Sequence, residues 1–216
     1  MGARVFVKVC GITSVEDGEL AAAAGADAVG FVFWPMSSRR IDPEKAARIG
    51  RALPPFLLRV GVFVDAANEE MERVADQVGL DVLQLHGDEP PESLSGLSRR
   101  VLKAVRVGKG FTADEALRYE GLAAGLLVDT RLPGETMMPG GTGIPFDWKL
   151  VRGVRERASF LMLAGGLTPD NVREALKAVG PDAVDVSSGV ESLPGRKDPA
   201  KVRAFLGNVR EWERTR

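Results

Sequence analysis

The feature that most constrains the fold is the alternation of short apolar segments with helical segments along the whole chain. Eight segments have the composition of strands: Val5–Cys10, Ala28–Phe33, Leu57–Val64, Val82–Leu85, Val101–Val105, Leu126–Asp129, Phe160–Ala164 and Ala183–Val186. Most of them are continuously apolar, which is typical of parallel strands covered on both faces. Such a sheet needs helices between its strands.

Helical patterns fill the intervals between these segments. They cover Ser14–Ala24, Pro43–Ala52, Glu69–Val78, Glu92–Leu97, Ala113–Tyr119, Trp148–Val154, Pro169–Val179 and Pro199–Val209. Ser14 with Asp17 resembles a capping box, and Asp42-Pro43 and Thr168-Pro169 each place a capping residue before proline.

Eight β–α units predict an α/β fold, a single (β/α)8 TIM barrel over residues 1–216 with parallel strands and outer helices. An open, doubly wound sheet is the alternative arrangement of the same units. No composition break suggests a domain boundary, and the absence of a linker favours the closed barrel.

Composition argues against several classes of function. The net charge of −1 and the pI of about 6.0 give no field that favours nucleic acid or an anionic membrane. No apolar stretch is long enough to span a bilayer, and the first residues do not resemble a signal peptide. The chain has one cysteine and one histidine, so neither an internal disulfide nor a zinc site is expected. We expect a cytoplasmic protein that uses no metal and no cofactor.

The carboxyl ends of the strands carry the candidates for chemistry, because the active site of such a barrel lies there. Cys10 ends the first strand and Asp129 ends the sixth, and a thiol with a carboxylate can divide a proton transfer between them. Lys8 lies two residues before Cys10 on the same side of the strand, where its charge would lower the pKa of the thiol. The alternative for Cys10 is a small buried hydrophobe. Burying the Asp129 carboxylate without a partner would cost free energy, so we expect it to have either a paired group or a functional role.

Two loops indicate a phosphate site. Gly165-Gly166 follows the seventh strand, and Ser187-Ser188-Gly189 follows the eighth. The loops at these two positions hold a substrate phosphate in many such barrels, through backbone N–H groups. The alternative is that these glycines form ordinary strand-to-helix turns.

Three further polar residues are candidates for substrate contact. Arg39 follows the second strand, where a guanidinium can clamp a carboxylate, and the adjacent Arg40 is the alternative clamp. His86 either touches substrate or orients a neighbour, and Asp185 either binds substrate or accepts from N–H groups at the barrel mouth. The long irregular stretch Arg131–Pro145 is typical of a lid.

These motifs occur in an order that resembles the phosphoribosylanthranilate isomerase family of tryptophan biosynthesis. The matching segments are Lys8–Thr13, Gly25–Phe33, Ser37–Ile41, Arg59–Phe63, Gln84–Gly87, Asp129–Thr130, Gly140–Gly143 with Phe146–Trp148, Ala164–Pro169 and Asp185–Glu191. They cover nearly the whole chain.

The resemblance implies an Amadori rearrangement of N-(5-phospho-β-D-ribosyl)anthranilate to 1-(2-carboxyphenylamino)-1-deoxyribulose 5-phosphate. By the matching positions, Asp129 would protonate the ribose ring oxygen and Cys10 would remove the C2′ proton. Arg39 would hold the anthranilate carboxylate, and the glycine and serine loops would hold the phosphate.

Alternatives to this function remain at the level of the sequence. They are another phosphate-binding barrel isomerase, such as the one of the histidine pathway, and a non-catalytic sensor of phosphorylated ligands. The expected partner is a small phosphorylated molecule, with no nucleic acid and no membrane. A homodimer is a further expectation, with Phe56 or Trp212 as possible interface residues.

Overall fold

The computed structural model describes residues 4–130 and 147–215, and in it eight parallel strands form a closed barrel. The strands are β1 Phe6–Cys10, β2 Ala28–Val32, β3 Leu58–Phe63, β4 Val82–Leu85, β5 Arg100–Val107, β6 Gly125–Thr130, β7 Leu161–Leu163 and β8 Ala183–Val186. They pair in chain order, and β8 pairs with β1 to close the ring. The open sheet is therefore wrong and the predicted barrel is confirmed. The predicted lid at Arg131–Pro145 lies outside the described residues.

Seven α-helices surround the described part of the barrel. They are α1 Val15–Ala24, α2 Pro43–Ala52, α3 Asn68–Val78, α4 Ala113–Leu117, α5 Arg152–Arg155, α6 Val172–Val179 and α7 Pro199–Thr215. Short 3-10 helices cover Pro91–Leu94, Trp148–Val151 and Ser188–Val190. The helix predicted over Glu92–Leu97 is thus only one 3-10 turn. Among the described residues, no helix is long and apolar enough to cross a bilayer.

Two of the three predicted helix starts are confirmed. Ser14 Oγ accepts from the Asp17 N–H at 3.1 Å, and Asp42 Oδ1 accepts from the Lys45 N–H at 2.8 Å. The start predicted at Thr168-Pro169 is wrong, because α6 begins only at Val172. The Thr168 N–H donates to Asn171 Oδ1 at 2.8 Å, and this bond closes a turn before the helix.

A hairpin that the sequence pattern did not predict follows β8. Its strands are β9 Glu191–Leu193 and β10 Arg196–Lys197, which pair antiparallel. Gly195 makes the turn possible with a φ of 77°, a value that favours glycine. The hairpin brings charged side chains back to the carboxyl end of the barrel.

Side chains alternate between two apolar layers. One layer fills the barrel interior, with Leu102, Ala104, Leu127, Met162, Ala164 and Ala183. The other lies between strands and helices, and includes Val7 and Val9 of β1. Because side chains alternate along a strand, Lys8 and Cys10 face the interior. The two candidates of β1 therefore lie inside the barrel.

Candidate active site

A cavity of about 180 Å³ opens at the carboxyl ends of the strands. It brings together six of the residues predicted for the site: Cys10, Arg39, His86, Asp129, Asp185 and Ser187. The other lining residues are the apolar Val32, Trp34, Met36, Val62 and Val64 and the polar Ser37, Ser38 and Gln84. The cavity therefore joins titratable groups to an apolar wall.

The Cys10 thiol lies beside a buried ion pair. Lys8 Nζ donates to Asp185 Oδ1 at 2.8 Å, and the Lys8 side chain is fully buried. Burial raises the pKa of Cys10, the charge of Lys8 opposes this rise, and the charge of Asp185 adds to it. Lys8 therefore acts in the predicted direction, but burial outweighs it. At neutral pH the thiol is therefore favoured over the thiolate.

The same buried ion pair also affects the pKa of Lys8. Burial favours the neutral amine, but the ion pair with Asp185 and the hydrogen bond with Cys10 oppose burial, and the pKa of Lys8 is raised. The lysine thus remains a cation beneath the thiol. Asp185 is a structural acceptor for Lys8 as well as part of the cavity wall.

Asp129 lies next to His86 in the wall of the cavity. His86 Nε2 lies 3.2 Å from Asp129 Oδ2, and both side chains are buried. On the other side of the ring, Gln84 Nε2 lies 2.8 Å from His86 Nδ1. His86 thus lies between Gln84 and Asp129 and also lines the cavity.

Arg39 crosses the end of β1 to reach the cavity. Its guanidinium donates to both carboxylate oxygens of Glu191, from Nε at 2.9 Å and from Nη2 at 2.8 Å. These bonds raise the pKa of Arg39. Gly11 makes the crossing possible, because a Cβ at this position would lie 2.7 Å from Arg39 Cδ. Arg40 is exposed and lines no part of the cavity, so the geometry favours Arg39 as the clamp.

Of the two predicted phosphate loops, only Ser187 lines the cavity; Gly165, Gly166, Ser188 and Gly189 are not among its lining residues. Gly165 and Gly166 have φ values of 83° and 63°, and within the described ranges neither N–H has a hydrogen-bond acceptor. The second loop packs on the first, since a Cβ at Gly189 would lie 1.9 Å from the carbonyl oxygen of Leu167. Ser188 begins a 3-10 turn in this second loop. Both loops thus expose backbone at the same rim.

Two buried residues of this region were missed by the prediction from sequence. Lys197 Nζ donates to the Cys10 carbonyl at 2.6 Å and to Glu191 Oε1 at 2.9 Å. Glu191 was visible only as the end of the matching segment Asp185–Glu191. Lys197 had no signal, because the hairpin that places it was not predicted. Within residues 4–130 and 147–215, no cluster of His, Cys, Asp and Glu side chains could hold a metal ion.

Comparison with known proteins identifies the family to which the chain is similar. The family model described as N-(5'phosphoribosyl)anthranilate (PRA) isomerase matches residues 7–208. An N-(5'-phosphoribosyl)anthranilate isomerase of Pseudomonas aeruginosa (strain LESB58) is 52% identical over 211 residues, which are 97% of each chain.

Solved structures show the same relationship. The chain is similar to monomers generated from the dimeric phosphoribosylanthranilate isomerase of Thermotoga maritima, with a TM-score of 0.85 and 43% identity over 96% of this chain and 99% of that one. A phosphoribosylanthranilate isomerase in complex with reduced 1-(o-carboxyphenylamino)-1-deoxyribulose 5-phosphate also has a TM-score of 0.85, with 44% identity and the same coverage. The chain therefore belongs to the N-(5'-phosphoribosyl)anthranilate isomerase family.

Proposed function

We propose that the protein is the isomerase of tryptophan biosynthesis that converts N-(5-phospho-β-D-ribosyl)anthranilate to 1-(2-carboxyphenylamino)-1-deoxyribulose 5-phosphate. The observation that carries this proposal is that a thiol and a carboxylate, those of Cys10 and Asp129, line the same cavity. An arginine lies at the wall of this cavity and glycine loops adjoin it, so both anionic ends of such a substrate would have cationic or N–H partners. Holding both ends fixes the ribose between acid and base.

Asp129 is the general acid of the first step. Its carboxylic acid form gives a proton to the ribose ring oxygen, the bond from C1′ to that oxygen breaks, and the anthranilate nitrogen forms a Schiff base with C1′. The His86 imidazole at 3.2 Å fixes the carboxyl orientation for this transfer. The wall residues Trp34 and Met36 offer the aromatic ring an apolar surface.

Cys10 is the general base of the second step. Its thiolate removes the C2′ proton, and the electron pair of that bond forms the enol-amine while the Schiff-base nitrogen is neutralised. The enol-amine then tautomerises to the ketone. Burial raises the pKa of Cys10 and thus disfavours the thiolate. The positive charge of the protonated Schiff base lies next to the acidic proton and favours the thiolate when substrate is bound.

The remaining predicted residues support these steps. Lys8 keeps a positive charge beneath the thiol, and Asp185 pairs with Lys8. Arg39 clamps the anthranilate carboxylate. Gly165, Gly166, Ser187, Ser188 and Gly189 bind the 5-phosphate through N–H and hydroxyl groups.

Turnover of freshly prepared phosphoribosylanthranilate, followed by its fluorescence, tests the proposal. We expect conversion by the wild type and a loss of at least about 10²-fold in kcat for a Cys10→Ala, Asp129→Asn double variant. Glu211→Gln is a matched carboxylate-to-amide control, because Glu211 is half exposed in an ion pair with Arg173. Absence of conversion by the folded wild type would contradict the proposal.

The assembly is a second part of the proposal. Phe56 is 97% exposed and Leu58 is 48% exposed, both at the amino end of β3. A cavity of about 300 Å³ opens at the same end of the barrel. We infer a homodimer formed through this end; the relative from Thermotoga maritima is also dimeric. We further infer that the protein is cytoplasmic. Sedimentation should show a dimer that Phe56→Asp converts to a monomer; a wild-type monomer at all concentrations would overturn this.

A further inference from the structure

A buried carboxylate lies between two buried cations beside the cavity. Glu191 accepts from Arg39 through both oxygens and from Lys197 Nζ at 2.9 Å. The Lys197 side chain is fully buried, and the Glu191 side chain is 5% exposed. Burial raises the pKa of Glu191, but the bonds from Arg39 and Lys197 outweigh burial and lower it. We call these three residues the Glu191 triad.

Several bonds fix the hairpin that carries the Glu191 triad. The Lys197 N–H donates to Asp17 Oδ2 at 3.1 Å, and Thr13 Oγ1 donates to the Gly195 carbonyl at 2.6 Å. Lys201 Nζ donates to the Glu191 carbonyl at 2.9 Å. The hairpin backbone is therefore held by bonds to α1, α7 and the loop after β1, and Lys197 of β10 holds the Glu191 carboxylate. This carboxylate is a rigid acceptor for Arg39.

The bidentate pair determines which edge of the guanidinium remains for a ligand. Glu191 occupies the edge formed by Nε and Nη2. A guanidinium has five N–H donors, and the edge formed by Nη1 and Nη2 can bind a second carboxylate side by side. In the described part of the chain, no other residue accepts from the Arg39 guanidinium. Because Arg39 lines the cavity, this edge is available to a carboxylate bound there.

Lys197 links the same carboxylate to the base. Its ammonium group donates to the Cys10 carbonyl at 2.6 Å, and Ser187 Oγ donates to the same carbonyl oxygen at 3.2 Å. The charged groups that act on the thiol are Lys8, Asp185, Arg39 and Lys197. Burial and Asp185 raise the pKa of Cys10, Lys8 lowers it, and the smaller influence of the Lys197 charge also lowers it.

We propose that Glu191 and Lys197 are positioning residues of the reaction. Glu191 orients the Nη1–Nη2 edge of the Arg39 guanidinium toward the substrate carboxylate. Lys197 donates hydrogen bonds to both Glu191 and the carbonyl of Cys10. The two residues thereby couple the clamp to the base, although Lys197 lies 187 residues from Cys10 and Glu191 lies 152 residues from Arg39 in the sequence. This inference rests on the proposed function.

A double-mutant cycle tests the role of Glu191. Glu191→Gln keeps the shape of the side chain and removes its charge, so we expect the Kd of reduced 1-(o-carboxyphenylamino)-1-deoxyribulose 5-phosphate and the KM to rise about 10-fold or more, with kcat within a few-fold. In an Arg39→Ala background the same change should have no further effect on Kd, because Glu191 acts through Arg39. Glu191→Asp should restore part of the affinity, and Glu211→Gln should leave Kd unchanged.

Two outcomes of this cycle would overturn the inference. An unchanged Kd in Glu191→Gln would show that Arg39 needs no orientation by this carboxylate. A rise in Kd that is the same with and without Arg39 would show that Glu191 has only a structural role. A folded wild type that neither binds the analogue nor turns over substrate would overturn the proposed function itself, and this inference with it.

The single cysteine allows a direct test of Lys197. Absorbance at 240 nm follows thiolate formation, and the Cys10→Ala protein supplies the background from all other groups. We expect the thiolate of Lys197→Met to appear at higher pH than that of the wild type, and kcat to fall at neutral pH. Lys177→Met is the control, since Lys177 is an exposed lysine of α6. Identical thiolate titrations in wild type and Lys197→Met would overturn the role assigned to Lys197.

Discussion

The two ends of the barrel differ in a way that cavity size conceals. The amino-end cavity is the larger, about 300 Å³ against about 180 Å³ at the carboxyl end. Its walls are mainly apolar, with side chains such as Phe6, Val60, Leu102 and Met162. The smaller cavity holds the thiol, the imidazole and the carboxylates. Convergent titratable groups, and not volume, therefore identify the site of chemistry.

Strand β1 shows the same contrast within five residues. Phe6 lies at the amino mouth, Lys8 in the middle and Cys10 at the carboxyl mouth. All three point into the barrel, because alternate residues of a strand share a face. The buried pair of Lys8 with Asp185 separates the apolar end from the reactive end. Substitutions at the two ends should therefore affect different properties.

The largest effect is expected at Asp129. Asp129→Asn removes the proton donor without changing the shape of the side chain, so kcat should fall by about 10²–10⁴-fold. His86→Asn should lower kcat less, because the acid remains and only its orientation is lost. Steady-state kinetics on both variants measures this order. A His86→Asn variant that loses more kcat than Asp129→Asn would assign the acid to His86.

Arg39 should control binding more than turnover. Arg39→Ala removes the clamp, and we expect KM to rise by about 10²-fold, with a smaller change in kcat. Arg40→Ala is the matched control and should change KM less than about twofold, because Arg40 is exposed. The two KM values, measured side by side, decide which of the adjacent arginines holds the carboxylate. Equal effects would contradict the assignment to Arg39.

The amino end should respond in stability and not in catalysis. Met162 lines the amino-end cavity and is 7% exposed. Met162→Ala enlarges an existing cavity, and we expect the free energy of unfolding to fall by about 2 kcal/mol or more. Denaturant unfolding measures this loss, and kcat below the transition should remain within about twofold of the wild type. A large loss of kcat in the folded variant would contradict the separation of the two ends.

The smallest effect is a dependence of stability on alkaline pH. Burial raises the pKa of Cys10 in the folded protein, so above about pH 8.5 the unfolded chain binds fewer protons than the folded one. Stability conferred by this group is complete below the pKa of the unfolded thiol and is lost as pH rises through the pKa of the folded one. The loss is at most about 1.4 kcal/mol per pH unit. The free energies of unfolding of wild type and Cys10→Ala, measured with denaturant between pH 8 and 10, isolate the contribution of Cys10. If the two free energies changed equally with pH, the raised pKa would be contradicted.

The sequence predicts the barrel well because its strands are local signals. Each of the eight strands is a short apolar run, and the two strands β4 and β8 begin and end where they were predicted. Cys10 and Asp129 were found for the same reason, since the end of a strand can be recognised locally. The start of α6 was misplaced, because the Asn171 side chain closes a turn that Thr168-Pro169 does not reveal.

Contacts between distant segments were not predictable from patterns. Arg39 and Glu191 are 152 residues apart, and their pairing depends on the hairpin after β8. Nothing in the local sequence distinguishes Arg39 from Arg40, because only the path over Gly11 selects the first. The hydrogen bond from Gln84 to His86 likewise needs the ring orientation that the fold provides.

The most direct test is the kcat of Cys10→Ala measured together with the Kd of the reduced product analogue. If the carboxyl end of the barrel performs acid–base catalysis through this thiol, kcat should fall by at least about 10²-fold while the Kd stays within a few-fold of the wild type. Turnover by Cys10→Ala at the wild-type rate, with folding and binding intact, would contradict the assignment of the base.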